Sequence, residues 1–313
     1  MYILGFDIGG TKCAVITADW DGEKITFLKK KRCDTDLTVS PEEMLKRLIT
    51  LAEEIVEGKI DSIGISCGGP LDSRKGIILS PPNLPGWDRV EISKILSDYF
   101  GAPAHLQNDA NACALAEWKS GAGRGSENMI FLTFGTGLGA GLILGGRLYE
   151  GTNGNAGEVG HIRLSDTGPE GYGKKGSFEG FCSGGGIRRL GLMKAKEKLG
   201  EGIMPLYMEK GEESISAKTI ADAARKGDET AKEVYRICGE NLGKGLSVLI
   251  DILNPEKIVI GSVFARSHDL LWHHAEKVIK KEALSVSYDC CKVVPAELGE
   301  EIGDYAAIGA ALS

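Results

Sequence analysis

Two glycine turns and one Asn-Asp pair are the residues of this chain whose types and spacing could do chemistry. The first turn is Asp7-Ile8-Gly9-Gly10-Thr11-Lys12, set between two β-rich runs. Its glycines expose backbone N–H groups and admit an anion with no Cβ in the way. Thr11 adds a hydroxyl donor and Lys12 a positive charge. Asp7, at a strand end, is placed to hold a metal ion through its water shell. Taken alone, the segment reads equally well as a plain β-hairpin. The second turn, Gly135-Thr136-Gly137-Leu138-Gly139-Ala140-Gly141, again joins strand to strand. It lacks the Gly-x-Gly-x-x-Gly spacing of a dinucleotide fingerprint, and no Gly-Lys-Ser/Thr marks a Walker-type loop. Two phosphate-shaped turns in corresponding places of two halves point to a nucleotide clasped between them.

Between the turns lies Asn108-Asp109-Ala110-Asn111-Ala112. A strand before it and a helix after it put Asp109 at a strand's carboxyl end. A carboxylate there can take the proton of an attacking hydroxyl, the general-base part of phosphoryl transfer to an alcohol. The competing role is an Asx helix cap, open to Asn108 or Asp109. A lone Asn-Asp pair favours the cap; beside two phosphate turns it favours catalysis. Glu158, His161 and Glu179 lie in a glycine-rich region, Gly151–Gly186, and are apt ligands for sugar hydroxyls. His161 on its own reads more often as a structural histidine.

These residues need a scaffold. Tyr2–Ile8, Cys13–Ala18 and Lys24–Arg32 read as strands. Ser40-Pro41-Glu42-Glu43 is a helix start, with the apolar face of Met44, Leu45, Leu48, Leu51, Ala52 and Ile55 behind it to about Glu57. A buried strand at Asp61–Ser66, a helix near Ile92–Phe100, a strand near Ala104–Gln107 and a helix over Asn108–Gly121 follow. The second half repeats the opening: strand Met129–Phe134, the glycine turn, strand Ala140–Leu144 and a third strand at Arg147–Tyr149. Ala231, Val234, Cys238, Leu242, Leu246 and Leu249 fall at helical spacing on a segment from Asp228 to Asp251. A strand at Lys257–Ile260 and a closing helix over Gly303–Leu312 complete the chain. The expected fold is α/β in two domains. A small one spans 1–110, with the helix at about 303–313 packed back on it; a large one spans 111–302. The two openings suggest an internal structural duplication with no textual repeat.

Composition narrows the function. At 313 residues, 42% apolar, the chain can bury an ample core. Its net charge of -7 disfavours nucleic acid as a partner, and the one basic run, Lys29-Lys30-Lys31-Arg32, reads as a solvated strand end. Eight cysteines with no Cys-x-x-Cys pair suggest reduced thiols and a cytoplasmic location. No signal peptide and no membrane-length apolar run are expected. Cys290-Cys291 read as strand neighbours, one buried and one exposed. His273-His274 share a helix and cannot both face one ion.

In this order, Asp7–Lys12, Asn108–Ala112, Gly135–Gly141 and Glu158–His161 resemble the ROK (repressor, open reading frame, kinase) family over nearly the whole chain. The resemblance implies the actin-like ATPase (ribonuclease H-like) fold, with ATP and sugar in a central cleft and a homodimer as the assembly. It implies Asp109 as catalytic base. Gly68, Asn83, Asn108, Glu158, His161 and Glu179 would bind the sugar. Asp7, Gly9, Gly10, Thr11 and Lys12, with Gly135, Thr136 and Gly137, would embrace the phosphates and Mg²⁺, and Gly261 would lie on the adenosine side. The implied activity is ATP-dependent phosphorylation of a hexose, glucose at its 6-hydroxyl first. Another hexose or an N-acetylhexosamine, or a non-catalytic sugar-binding or regulatory protein, stands as the alternative. The phosphate motif begins at residue 7, so no DNA-binding domain is expected ahead of it.

Two departures stand out. Many family members hold a structural zinc with three cysteines in Cys-x-Cys-Gly-x-x-Gly-Cys-x-Glu, where this chain has Glu170, Tyr172 and Ser177. No zinc site is expected, because such donors cannot replace three thiolates. The adenosine-side loop, usually Gly-Gly, reads Gly261-Ser262.

Overall fold

The computed structural model describes residues 1–312. The chain divides into two compact units. One comprises Met1–Glu127, Gly141–Ala156 and the segment from Glu297 on; the other comprises Asn128–Ala140 and Gly157–Ala296.

The first unit is built on a sheet of β1 (Tyr2–Ile8), β2 (Lys12–Trp20), β3 (Ile25–Asp34), β4 (Ser62–Cys67) and β7 (Ala104–Asn108), in the order β3-β2-β1-β4-β7. The two hairpin pairs are antiparallel, whereas β1, β4 and β7 run parallel. A short ribbon of β5 (Leu71–Asp72) and β6 (Ile77–Ile78) hangs beyond β4. Helices α1 (Pro41–Glu53) and α2 (Ile92–Phe100) cover one face. There Leu4, Phe6, Ile8 and Val15 from the strands meet Met44, Leu45, Leu48 and Leu96 from the helices. Each such side chain taken out of water contributes about 1.5–3 kcal/mol. The Ser40 hydroxyl caps α1 by accepting from the Glu43 N–H at 3.3 Å.

Helix α3 (Asp109–Ser120) and the last helix, α11 (Ile302–Ala310), lie on the opposite side, where Ala307, Ile308 and Ala311 pack on Ile3, Ala14, Ile16 and Ala18. The approach is close: a Cβ on Gly64 of β4 would stand 1.9 Å from the Ala307 carbonyl oxygen. Glycine is the residue that lets this helix seat against the strand. The last residue of the expected closing helix, Ser313, lies outside the described residues. The basic run is an ion-paired strand, with Lys29 meeting Glu57, Lys30 meeting Asp304 and Lys31 meeting Glu54. A strand expected at Arg147–Tyr149 reduces to one bridge between Ile143 and Leu148, across a hairpin turn in which Gly145 and Gly146 take positive φ and the Tyr149 N–H donates to the Leu142 carbonyl at 2.8 Å.

In the second unit β8 (Met129–Leu132), β12 (Lys257–Ile260) and β13 (Lys292–Pro295) pair in parallel, in the order β13-β12-β8. Met129–Leu132 and Ile258–Ile260 are buried throughout, as central parallel strands should be. β9 (Ala140–Ile143) starts where the chain leaves this unit. The ribbon of β10 (Glu170–Gly171) and β11 (Lys174–Lys175) precedes α4 (Phe178–Phe181), α5 (Gly184–Gly200), α6 (Ala217–Arg225) and α7 (Glu229–Leu253). The stripe Val234, Cys238, Leu242, Leu246 and Leu249 is buried along α7. Asp228 starts that helix by accepting from the Ala231 N–H at 2.7 Å, and Asn254 ends it in the left-handed region at φ 42°. Helices α8 (Ser262–Arg266), α9 (His268–Glu282) and α10 (Ser285–Tyr288) follow. Cys290 and Cys291 sit in the turn after α10, one residue short of β13, with Cys290 exposed and Cys291 buried. The strand expected for them begins only at Lys292 because the Cys291 N–H closes a turn on the Tyr288 carbonyl. Among the described residues no helix is long and apolar enough to cross a membrane.

Candidate active site

In the first unit the carboxyl ends of β1, β4 and β7 lie side by side: Ile8 is opposite Cys67, and Cys67 is opposite Asn108. Open α/β sheets bind ligands at such ends. The turn after β1 closes through the Gly9 N–H to the Lys12 carbonyl at 3.1 Å. Thr35 pins it twice, its hydroxyl donating to the Gly9 carbonyl at 2.6 Å and its N–H to the Thr11 carbonyl at 2.9 Å. Sequence reasoning missed Thr35, since nothing in its neighbourhood marks it. A Cβ on Gly10 would fall 2.3 Å from the Asn83 carbonyl oxygen, one on Gly68 would touch the Asn83 amide at 3.4 Å, and one on Gly69 would reach the Asn108 amide nitrogen at 3.1 Å. Gly10, Gly68, Asn83 and Asn108 are therefore gathered at one place, and the glycines make room for the two amides.

Asn108 caps α3, its Oδ1 accepting from the Ala110 N–H at 3.0 Å. Asp109 is the first helical residue and is exposed, with Oδ1 also 2.8 Å from that N–H. Behind it Gln107 is buried and donates to Glu150 at 3.1 Å, and Ser73 donates to the same carboxylate oxygen at 2.7 Å. These second contacts, also invisible in the sequence, steady the strand end that carries Asn108.

Asp7 is crowded. α11 comes so near that a Cβ on Gly303 would lie 2.9 Å from its Oδ2. Burial, then the neighbouring Asp304 charge, push its carboxyl up to about 6, with Asp109 adding to the rise and Lys30 and Arg32 opposing it. Lys30 is paired with Asp304. A half-buried carboxylate raised by two others is a group that a nearby divalent cation would relieve, so Asp7 fits the part of a water-mediated magnesium ligand.

In the second unit the turn after β8 is bound on every side. The Gly135 N–H donates to the Gly137 carbonyl at 3.0 Å, and the Gly139 N–H to the Thr133 hydroxyl at 2.9 Å. At the start of α5 the Gly184 N–H donates to the Gly135 carbonyl at 2.7 Å and the Gly185 N–H to the Thr136 carbonyl at 3.2 Å. Glu179 Oε2 accepts from the Leu138 N–H at 3.0 Å, and a Cβ on Gly137 would stand 2.7 Å from that oxygen. Sequence reasoning missed these α5 contacts; the Gly184-Gly185-Gly186 run after Ser183 is the pattern that could have marked them.

Gly261 ends β12, its N–H bonded to the Leu132 carbonyl at 2.9 Å. Ser262 and Phe134 both take positive φ, 49° and 32°, and a Cβ on Gly135 would lie 3.9 Å from Ser262 Oγ. Glu158 is exposed at the start of a short 3₁₀ turn, Val159–His161. The His161 ring meets Tyr172 edge-on at 5.1 Å, and its carbonyl accepts from Lys174 Nζ at 2.8 Å.

The ROK family sequence profile matches residues 3–312. The chain belongs to the ROK family. Like other ROK chains it has the actin-like ATPase fold. It is 31% identical over 304 residues to a glucokinase of Thermotoga maritima, covering 96% of this chain and 94% of that protein. Among solved structures it is similar to a ROK family glucokinase from Streptomyces griseus in complex with glucose and AMPPNP, with TM-score 0.77 and 29% identity over 99% of this chain and 98% of that one. It is also similar to a ROK family transcriptional regulator described as a homologue of the E. coli MLC protein. There the TM-score is 0.85 and the identity 28%, over 99% of this chain and 78% of the regulator.

Within this ROK chain the stretch that in many members binds zinc does not fit that ion. Tyr172 is 70% exposed, and Ser177 is spent capping α4, accepting from the Gly180 N–H at 3.1 Å. Three thiolates have no substitutes there. The loop is tied instead by protein contacts: Lys174 to His161, Arg163 to the Lys175 carbonyl at 2.8 Å, and the β10–β11 ribbon.

Proposed function

We propose that this chain transfers the γ-phosphate of ATP to a hexose hydroxyl, with the 6-hydroxyl of glucose the first substrate to test. The observation that carries the reading is the exposed Asp109 carboxylate at the end of β7, in the first turn of a helix that Asn108 already caps. In this role Asp109 accepts the proton of the attacking hydroxyl. The residues proposed for the sugar hydroxyls are Asn83, Asn108, the Gly68 backbone, Glu158, His161 and Glu179. On the turn that the Gly9 N–H closes, the Gly10 N–H, the Thr11 hydroxyl and Lys12 take phosphate oxygens, as does the turn of Gly135, Thr136 and Gly137. Gly261 borders the adenosine. Asp7 would hold magnesium through water, and the ion, when bound, supplies charge neutralisation on the phosphates.

Support comes from the glucokinase relatives at about the same identity over nearly the whole chain. A coupled ADP-release assay across glucose, mannose, allose, fructose, N-acetylmannosamine and N-acetylglucosamine tests it. One turned-over sugar names the substrate, and silence with all of them overturns the proposal. The likeness to a transcriptional regulator favours a second reading, a sugar-binding regulatory protein. Calorimetric binding of a sugar with no ADP release from ATP would select it.

A further inference from the structure

The chain carries a net charge of -7, yet one groove on the second unit is basic. It has a volume of about 380 Å³ and is lined by Arg236, Glu240 and Lys244 of α7 and by His273, His274, Lys277, Val278, Lys281 and Glu282 of α9. Its origin is backbone proximity. A Cβ on Gly239 would lie 2.8 Å from the Leu271 carbonyl oxygen, and one on Gly243 would lie 2.5 Å from that of Ala275. The two helices touch along these glycines, and the longer side chains on either side stand up as walls. Arg236, Glu240 and Lys244 recur every four residues, so they form one wall about 12 Å long.

The charges in the groove do not cancel. Arg236 pairs with Glu240 at 2.8 Å and Lys281 with Glu282 at 2.9 Å. Lys244 and Lys277 make no ion pair among the described residues, and no further carboxylate lines the groove. Lone exposed lysines are ordinarily a solvated face. Here they sit in a concavity with two imidazoles whose rings are 5.3 Å apart, where the field of like charges is focused.

We propose that the groove between α7 and α9 binds a small phosphoryl anion, a site separate from the residues assigned to the kinase reaction. Lys244 and Lys277 supply the charge and Arg236 offers planar donors along the wall, while His273 and His274 both line the groove, contrary to the expectation that these helix neighbours could not face one ion. Burial, followed by the His273 charge, holds His274 below its usual value; Arg236 and Lys277 act the same way and Glu240 opposes them. A bound anion reverses that field and lifts His274, so binding takes up protons and tightens as pH falls from 8 to 6. The other charged groups facing His274 are Lys244, Lys281 and Glu282, all on the same two helices.

Imidazole proton–carbon NMR tests this directly, because the chain has 5 histidines and His273→Gln and His274→Gln variants assign the two signals. Inorganic tripolyphosphate and hexose 6-phosphate are titrated at low salt. The expected result is saturable shifts at both rings with Kd below about 1 mM, weakened at least about tenfold in a Lys244→Ala/Lys277→Ala variant that keeps the parent melting temperature. Both lysines are exposed, so that variant should fold; the single Lys244→Gln variant, weakened less, repeats the test. Tighter binding of the hexose phosphate identifies a phosphorylated sugar as the source, and tighter tripolyphosphate an inorganic chain. Linear shifts matched by sodium chloride at equal ionic strength, or saturation unchanged in the double variant, overturn the site. The readout is binding and not turnover, so its failure leaves the proposed kinase reaction untouched.

Discussion

In the first unit Asp7, Asn83, Asn108 and Asp109 meet at the ends of parallel strands, and most of what they offer is side chain. In the second unit the turn over Gly135–Gly139 offers backbone, and the Thr133 hydroxyl and one oxygen of Glu179 each accept from one of its N–H groups. Charge built from side chains can titrate and be repelled, as the raised Asp7 carboxyl illustrates. Peptide dipoles cannot titrate, and their orientation is set by the fold before any ligand arrives. The two regions should therefore fail differently: the first in chemistry and pH response, the second in geometry.

The largest expected effect is at Asp109. Asp109→Ala should lower kcat for the turned-over sugar by about 10²–10⁴ while sparing sugar affinity. Near-full turnover in a steady-state assay would remove the general base from the mechanism. Next is Asp7. Its carboxyl ordinarily ionises near 3.8 and here near 6, so ionisation opposes folding. Below pH 4 both states are protonated and the cost is absent; it grows as pH rises through 6 and is complete above that. Asp7→Asn should thus gain up to about 3 kcal/mol over the parent between pH 4 and pH 8 in urea unfolding, at about 1.4 kcal/mol per pKa unit. A constant difference across that range would show that the carboxyl is not raised.

In the second unit Glu179→Ala strands the Leu138 N–H and should cost about 1–3 kcal/mol in stability. If the loop serves the nucleotide, KM for ATP rises more than kcat falls. A rise in KM for the sugar with KM for ATP unchanged would confine Glu179 to its sugar contact and erase the contrast drawn between the units. The smallest effect is at Ser262, a serine at φ 49°. Relief of about 1–2 kcal/mol of left-handed strain, offset by the added freedom of glycine in the unfolded chain, should leave Ser262→Gly up to about 1 kcal/mol more stable. A loss of thermal stability would mean that the Ser262 hydroxyl makes a contact worth more than the strain.

Much of this was legible before folding. The Ser40 cap, the apolar stripe of α7 and the strands at Tyr2–Ile8 and Met129–Leu132 follow from period and capping chemistry, which act between near neighbours. The extent of pairing at Arg147–Tyr149 was not legible: after the Gly145-Gly146 turn its β-prone residues form one bridge, Leu148 to Ile143. Nor was the short approach to Cys290-Cys291, where a turn from Tyr288 delays the strand.

The residue types and spacings alone determined the two glycine turns, the Asn108-Asp109 pair and the loss of three zinc thiolates, since each is a contiguous pattern. Only tertiary structure decided that Asn83 comes to rest against Gly10 and Gly68, that Glu179 grips Leu138, and that Asp304, from the far end of the chain, raises Asp7. It alone also decided that glycines on α7 draw α9 close enough to raise a basic groove. Such contacts join positions tens to hundreds of residues apart, and no local period records them. They exist because a helix or loop can approach a strand only where the facing residue leaves room, and that depends on which surfaces the fold brings together.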